Sequence, residues 1–143
     1  MIAITDYDTG NLRSVANALR RIGAEFTVTS DAAVLRQADR VLLPGVGEAS
    51  SAMAKLRERG LDALIPTLTL PVLGICIGMQ LMCLDSEEGD TRCLGIFLGT
   101  ACLGVVQTEV MALERHQLVV RPHFHDLATV HHHQAVGLAQ RGQ

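Results

Sequence analysis

The sequence predicts an α/β fold: an open, mostly parallel sheet with helices on both faces. Three observations predict it. Short apolar runs alternate with helix-period stretches, in the order β-α-β-α, through about residue 84. Two of the strands run straight into glycine turns, Pro44-Gly45-Val46-Gly47 and Gly74-Ile75-Cys76-Ile77-Gly78. The chain, at 143 residues, has the length of one domain at roughly 150 residues each. Parallel neighbours need long crossovers, and right-handed helical ones place the helices over the sheet. Ligands of such sheets bind beyond the carboxyl ends of the strands, and both glycine turns fall on that edge.

The first strand spans residues 2–5, a short apolar run with β-branched residues. Asp6-Tyr7-Asp8-Thr9-Gly10 is turn chemistry. From Asn11 the period changes: Leu12, Val15, Ala16, Leu19 and Ile22 form one stripe of an amphipathic helix. Arg20 and Arg21 close it, where cations suit the helix dipole, and Gly23 stops it. Phe26, Val28 and Thr29 mark a second strand, and Ser30-Asp31 caps a short helix running to Ala38. Residues 40–43 form the third strand. Residues 49–59 are helical, with Gly60 as the stop. Pro71 precedes a fourth strand over residues 72–75, and a helix starts at Gly78 and runs toward Leu84.

Composition excludes several classes of function. Apolar residues make up 48% and charged residues 19%, so the chain is not a disordered one. Lys plus Arg number 12 against 15 acids, net charge −3, with no strongly basic stretch; no nucleic-acid partner is expected. Aromatics are 3% with no Trp, which leaves no stacking platform for bases. The longest mostly apolar stretch, residues 61–76, is interrupted by Asp62, Pro66, Thr67, Thr69 and Pro71, so no membrane span is expected. Residues 1–20 lack a basic start followed by an apolar run, so no signal peptide is read there and the expected location is the cytoplasm. Cys76, Cys83, Cys93 and Cys102 then read as reduced thiols, three of them as small buried hydrophobes.

Cys76 differs because of its spacing. G-x-C-x-G is the cysteine form of the nucleophile elbow. A sharp strand-to-helix turn forces the central residue into a strained backbone, and side chains two residues either side would collide. The sulfur is then held out at the top of the sheet, beside backbone N–H groups that favour negative charge and can receive an oxyanion. The plainer alternative is a buried cysteine with glycine neighbours. The 44–47 turn has two glycines that let a backbone amide approach a ligand, as an oxyanion donor and substrate cradle; alone it reads equally as an ordinary turn.

Together these residues resemble the class I glutamine amidotransferases, which carry P-G-x-G at one strand end and G-x-C-x-G-x-Q at another. Within that class, several stretches are similar to the glutaminase subunit of imidazole glycerol phosphate synthase. They are Asp6 through Val15, Leu42 through Gly47, Gln80 through Cys83, Ser86-Glu87-Glu88-Gly89 and Cys93-Leu94-Gly95-Ile96-Phe97. The resemblance covers residues 1–97, read as the amino-terminal part of a flavodoxin-like amidotransferase domain. It implies hydrolysis of the glutamine side-chain amide through a glutamyl thioester on Cys76. It places Gly47 and Gln80 on the bound glutamine, the Gly45–Val46 segment on the strand that supplies an oxyanion N–H on activation, and residues 8–11 near a partner-facing edge. The implied partner is a (β/α)8-barrel cyclase, joined as a heterodimer, which uses the ammonia to make a histidine precursor. No cofactor and no metal are implied. On spacing alone Gln80 reads as a solvated helix residue.

After Phe97 the resemblance stops, and residues 98–143 read as an unmatched tail that leaves the sheet incomplete at its C-terminal end. The family's H-P-E segment, which supplies the His and Glu that activate the thiol, is absent, as are M-G-W-N and H-S-Y. An unassisted thiol, with a pKa of about 8.5, is only a few per cent thiolate at neutral pH, so impaired activity is expected. All six histidines (His116, His123, His125, His131, His132, His133) lie in the tail. Three readings of the tail are open: a metal site built from these histidines, a replacement base with His123 or His125 oriented by Glu109 or Glu114, and a shifted reading frame or truncated gene, the reading we favour. A docking module without catalysis, and another flavodoxin-like cysteine hydrolase, are the alternatives to the enzyme.

Overall fold

Alternation along the strands decides which side of the sheet each helix covers. The structure is a computed structural model that describes residues 1–101, 110–114 and 117–120. β1 (Ile2–Thr5), α1 (Leu12–Arg21), β2 (Phe26–Thr29), α2 (Ala32–Gln37), β3 (Arg40–Gly45) and α3 (Ala49–Glu58) follow in turn. A short α4 (Leu61–Leu64) and a 3-10 turn (Ile65–Thr67) lead into β4 (Val72–Cys76), and α5 (Ile77–Leu81) follows with no residue between. Three two-residue strands come next: β5 (Asp85–Ser86), β6 (Thr91–Arg92) and β7 (Thr100–Ala101), paired in the order β6-β5-β7. β8 (Val110–Glu114) and β9 (Gln117–Val120) join the main sheet, whose order is β2-β1-β3-β4-β8-β9. β1 to β4 are parallel, and β8 and β9 are antiparallel additions. The expected α/β architecture is therefore present, with the direction of winding reversing between β1 and β3.

Ile2, Ile4, Leu42 and Leu73 face α1, where they meet Leu12, Val15, Ala16 and Leu19. Ala3, Val41, Leu43 and Val72 face the other way, against Leu35, Met53, Leu56, Leu61, Ile65, Ile77 and Leu81. Leu43, Leu56 and Leu81 are wholly buried, and each such side chain contributes about 1.5–3 kcal/mol of transfer free energy. Helices thus lie on both faces. Among the described residues, no helix is long and apolar enough to cross a membrane.

Local signals place the helix ends. The Asn11 side chain accepts from the Ser14 N–H at 3.1 Å and caps α1. Gly23, at φ 68°, ends it: its N–H reaches Arg20 O, and the Ala24 N–H reaches Leu19 O. Asp31 caps α2 through the Ala33 N–H at 2.7 Å, and Gly60 at φ 65° follows α3.

Two boundaries differ from the sequence reading by more than one residue. β3 runs on to Gly45, because Pro44 and Gly45 pair with Ile75 and Cys76 of β4. β1 pairs with β3 only as far as Leu42, so the absent N–H of Pro44 breaks no ladder on that side. α5 stops at Leu81 instead of running toward Leu84. The reason is tertiary: the carbonyls of Leu81, Met82 and Cys83 accept from the N–H groups of Leu94, Phe97 and Gly95 at 2.8–2.9 Å. The 93–97 segment takes the acceptors that another helical turn would have used.

This same segment carries a pH-sensitive group. Cys93 is buried, its thiol directed at Thr91 O, and burial, followed by Cys83 and Asp85, pushes its pKa from 9.0 up to about 11. The unfolded chain loses this proton first. The thiol's contribution is therefore complete below about pH 9 and is lost as pH rises through about 11. Thermal melts across that window are expected to fall less steeply for Cys93→Ser than for the native chain.

Candidate active site

Cys76 is both the last residue of β4 and the cap residue of α5, with φ 55° and ψ −120°. A residue with a Cβ rarely occupies this region, and holding one there costs about 1–3 kcal/mol. The bend turns the thiol outward. Cys76 is exposed, whereas all five residues of α5 are buried. The expected elbow geometry is present, and the buried-cysteine alternative is not what the structure holds.

Glycines let the bend close. A Cβ on Gly78 would lie 1.7 Å from the Leu43 carbonyl oxygen; one on Gly74 would lie 2.5 Å from Met79 Cα. A Cβ on Gly45 would meet Gly78 N at 2.6 Å. Backbone therefore packs on backbone where α5 crosses β3 and β4, and any side chain would push the helix away. The flanking glycines were legible from the G-x-C-x-G spacing, but the role of Gly45 in the same contact was not.

The 44–47 turn lies beside Cys76. Gly45 is its register partner across the parallel ladder. Val46 is half exposed. Gly47 sits at φ 93°, and a Cβ there would meet nothing within 4 Å. The turn after β1 braces this segment. Tyr7, wholly buried, donates its hydroxyl to Pro44 O at 2.7 Å, and the Thr9 hydroxyl donates to Val46 O at 3.0 Å. Burial holds the Tyr7 phenol protonated well above its ordinary range, and the nearby Cys76 adds to this. Neither Tyr7 nor Thr9 carries a signal for this contact in the local sequence.

Gln80 is 8% exposed, so the reading from spacing as a solvated residue is overturned. It sits one turn beyond Cys76 on the buried α5. A third loop reaches the same neighbourhood. Glu88 accepts from the Ala49 N–H at 3.2 Å and caps α3 in place of Glu48, whose side chain makes no such bond. Gly89 packs beside Glu48 and Ser50. Glu88 thus brings a carboxylate next to the 44–47 turn, a placement that sequence reasoning did not assign.

The six histidines, Cys102 and Glu109 lie outside the described residues. Glu114 lies at the far end of β8, which runs antiparallel with Val110 opposite Ile75 and Leu113 opposite Val72. Its backbone is displaced from Cys76 by about 15 Å along the strand, which removes it as the orienting acid for a base at Cys76. Among the described residues, no three His, Cys, Asp or Glu side chains cluster as metal ligands.

The family profile "Glutamine amidotransferase class-I" matches residues 3–139. A Bacteroides fragilis protein named imidazole glycerol phosphate synthase subunit HisH is 57% identical over 96 residues, which is 67% of this chain and 49% of that protein. A Legionella pneumophila HisH 2 is 50% identical over 101 residues, 71% of this chain and 51% of its own length. The chain therefore spans about half the length of the curated relatives it matches. A solved structure described as a glutamine amidotransferase superposes with a TM-score of 0.62 at 18% identity, over 78% of this chain and 62% of the other, which supports the fold. The chain belongs to the class-I glutamine amidotransferase family.

Proposed function

We propose that the chain hydrolyses the side-chain amide of glutamine to glutamate and ammonia, as the glutaminase subunit that supplies a cyclase in imidazole glycerol phosphate synthesis. The observation that carries this reading is the exposed thiol of Cys76 at φ 55° and ψ −120°, in register with Gly45. The resemblance of residues 1–97 and the HisH names of its relatives support the choice of substrate and partner.

In this reading the Cys76 sulfur attacks the amide carbon. Backbone N–H groups at Val46 and at the start of α5 receive the developing oxyanion. The C–N bond breaks, ammonia leaves with the thiol proton, and water then cleaves the glutamyl thioester to release glutamate. In the same reading Gly47 and Gln80 hold the substrate. The proton transfer needs a base, and these 143 residues hold no H-P-E segment. Turnover is therefore expected to fall far below that of a family member that carries one. The ammonia passes to a cytoplasmic (β/α)8-barrel cyclase docked as a heterodimer.

Labelling with 6-diazo-5-oxo-norleucine tests the reading. Selective modification of Cys76, slowed by glutamine, is expected. Equal modification of Cys83, or no protection by glutamine, sinks the enzyme; retained binding to a purified cyclase would then favour the docking module, a reading supported by the missing H-P-E. Translating the gene beyond codon 97 in its other two frames tests the origin of the tail. Recovery of M-G-W-N and H-P-E is expected, and their absence from both frames ends the frameshift reading.

A further inference from the structure

Two carbonyls that flank the Gly45–Val46 peptide are held by one turn. Tyr7 holds Pro44 O at 2.7 Å and Thr9 holds Val46 O at 3.0 Å. In a trans peptide the carbonyl and the N–H point in opposite directions. Fixing Pro44 O and Val46 O therefore fixes the peptide planes on either side, and so narrows the orientations open to the Gly45–Val46 peptide held between them. The turn is itself tied down. Lys55 donates from Nζ to Asp8 O at 2.6 Å, and Arg59 pairs with the Asp8 carboxylate. Both cations come from the end of α3, and α3 begins at Ala49, shortly after Val46. The chain thus forms a closed brace: from Val46 through α3 to Asp8, and through Thr9 back to Val46.

We propose that Thr9 is a positioning residue for amide hydrolysis, its hydroxyl anchoring the Val46 carbonyl so that the Val46 N–H meets the oxyanion at Cys76. The inference rests on the glutaminase reading given above. It assigns no contact between Thr9 and substrate. An oxyanion donor is effective because it is fixed before charge develops. Val46 is half exposed, so water can satisfy its carbonyl once the Thr9 hydroxyl is removed. What is then lost is direction, not hydrogen bonding.

The test compares two reactions of the same sulfur. γ-Glutamyl-p-nitroanilide acylates the thiol: the S–C bond forms, the C–N bond breaks, and p-nitroaniline leaves with the thiol proton through a carbonyl oxyanion. Iodoacetamide alkylates the thiol by displacement of iodide, with no oxyanion. Thr9→Val is expected to slow the p-nitroaniline burst about tenfold, with half-saturation unchanged and the iodoacetamide rate within about twofold of native. Thr9→Ser is expected to recover the burst. An unchanged burst in Thr9→Val, an equal fall in both reactions, or no recovery by serine overturns the proposal while leaving the glutaminase reading in place. A native chain that reacts with iodoacetamide but gives no burst overturns both.

Discussion

Replacing Gly78 with alanine is expected to destabilise the described fold severely. The added methyl would sit 1.7 Å from the Leu43 carbonyl oxygen and 2.7 Å from the Leu43 carbonyl carbon. Both are backbone atoms of β3, a central strand paired on either side, so no rotamer change can clear them. Relief requires α5 to lift from the sheet, which uncovers Ile77, Leu81 and Met82, all buried against it. Overpacking usually costs about 1–3 kcal/mol where side chains can shift. Here the obstacle is main chain, and a loss of about 4–5 kcal/mol is expected, a large part of the stability of an ordinary domain. Gly47→Ala is the informative comparison. It has open space around it and φ 93°, so its cost is conformational alone, about 1–2 kcal/mol. Urea unfolding monitored by circular dichroism separates the two. A Gly78→Ala midpoint equal to that of Gly47→Ala would show that α5 does not lie on β3 as described.

The contrast between these glycines also shows what the sequence could and could not reveal. The β-α alternation was legible because each element carries its own signals: the stripe from Leu12 to Ile22, the caps at Asn11 and Asp31, the stops at Gly23 and Gly60. G-x-C-x-G announced the bend for the same reason, since the strain and the glycines that permit it lie within five residues. The end of α5 was not legible, because it is set by N–H groups of Leu94, Gly95 and Phe97 reaching back to its carbonyls. The burial of Gln80 and the grip of Tyr7 and Thr9 on the 44–47 turn were hidden likewise, as each depends on elements more than thirty residues apart or on the packing of the whole sheet. Glu88 lay inside a recognisable stretch, but its place beside Ala49 came only from the fold.

The second large effect concerns Cys76 itself, where stability and reactivity are expected to move in opposite directions. Cys76→Gly removes the sulfur, so labelling by a glutamine-analogue electrophile at this position is expected to vanish. The same change relieves the backbone. At φ 55° and ψ −120° a Cβ is strained by about 1–3 kcal/mol, whereas glycine occupies positive φ about as readily as negative. Against this stands the greater freedom of glycine in the unfolded chain, about 0.5–1 kcal/mol. Little packing is lost, because the thiol is exposed. A net gain of about 1 kcal/mol is expected, or a melting point higher by about 2–8 °C for a chain of this size. Cys76→Ala keeps the Cβ and therefore the strain, so it isolates the backbone effect from loss of the thiol. Its stability is expected to stay near that of the native chain, below the glycine variant. A glycine variant less stable than the alanine variant would mean that the bend is not strained. The position would then carry no sign that its conformation is held for the sake of the sulfur, since a backbone under no load can be kept by any residue.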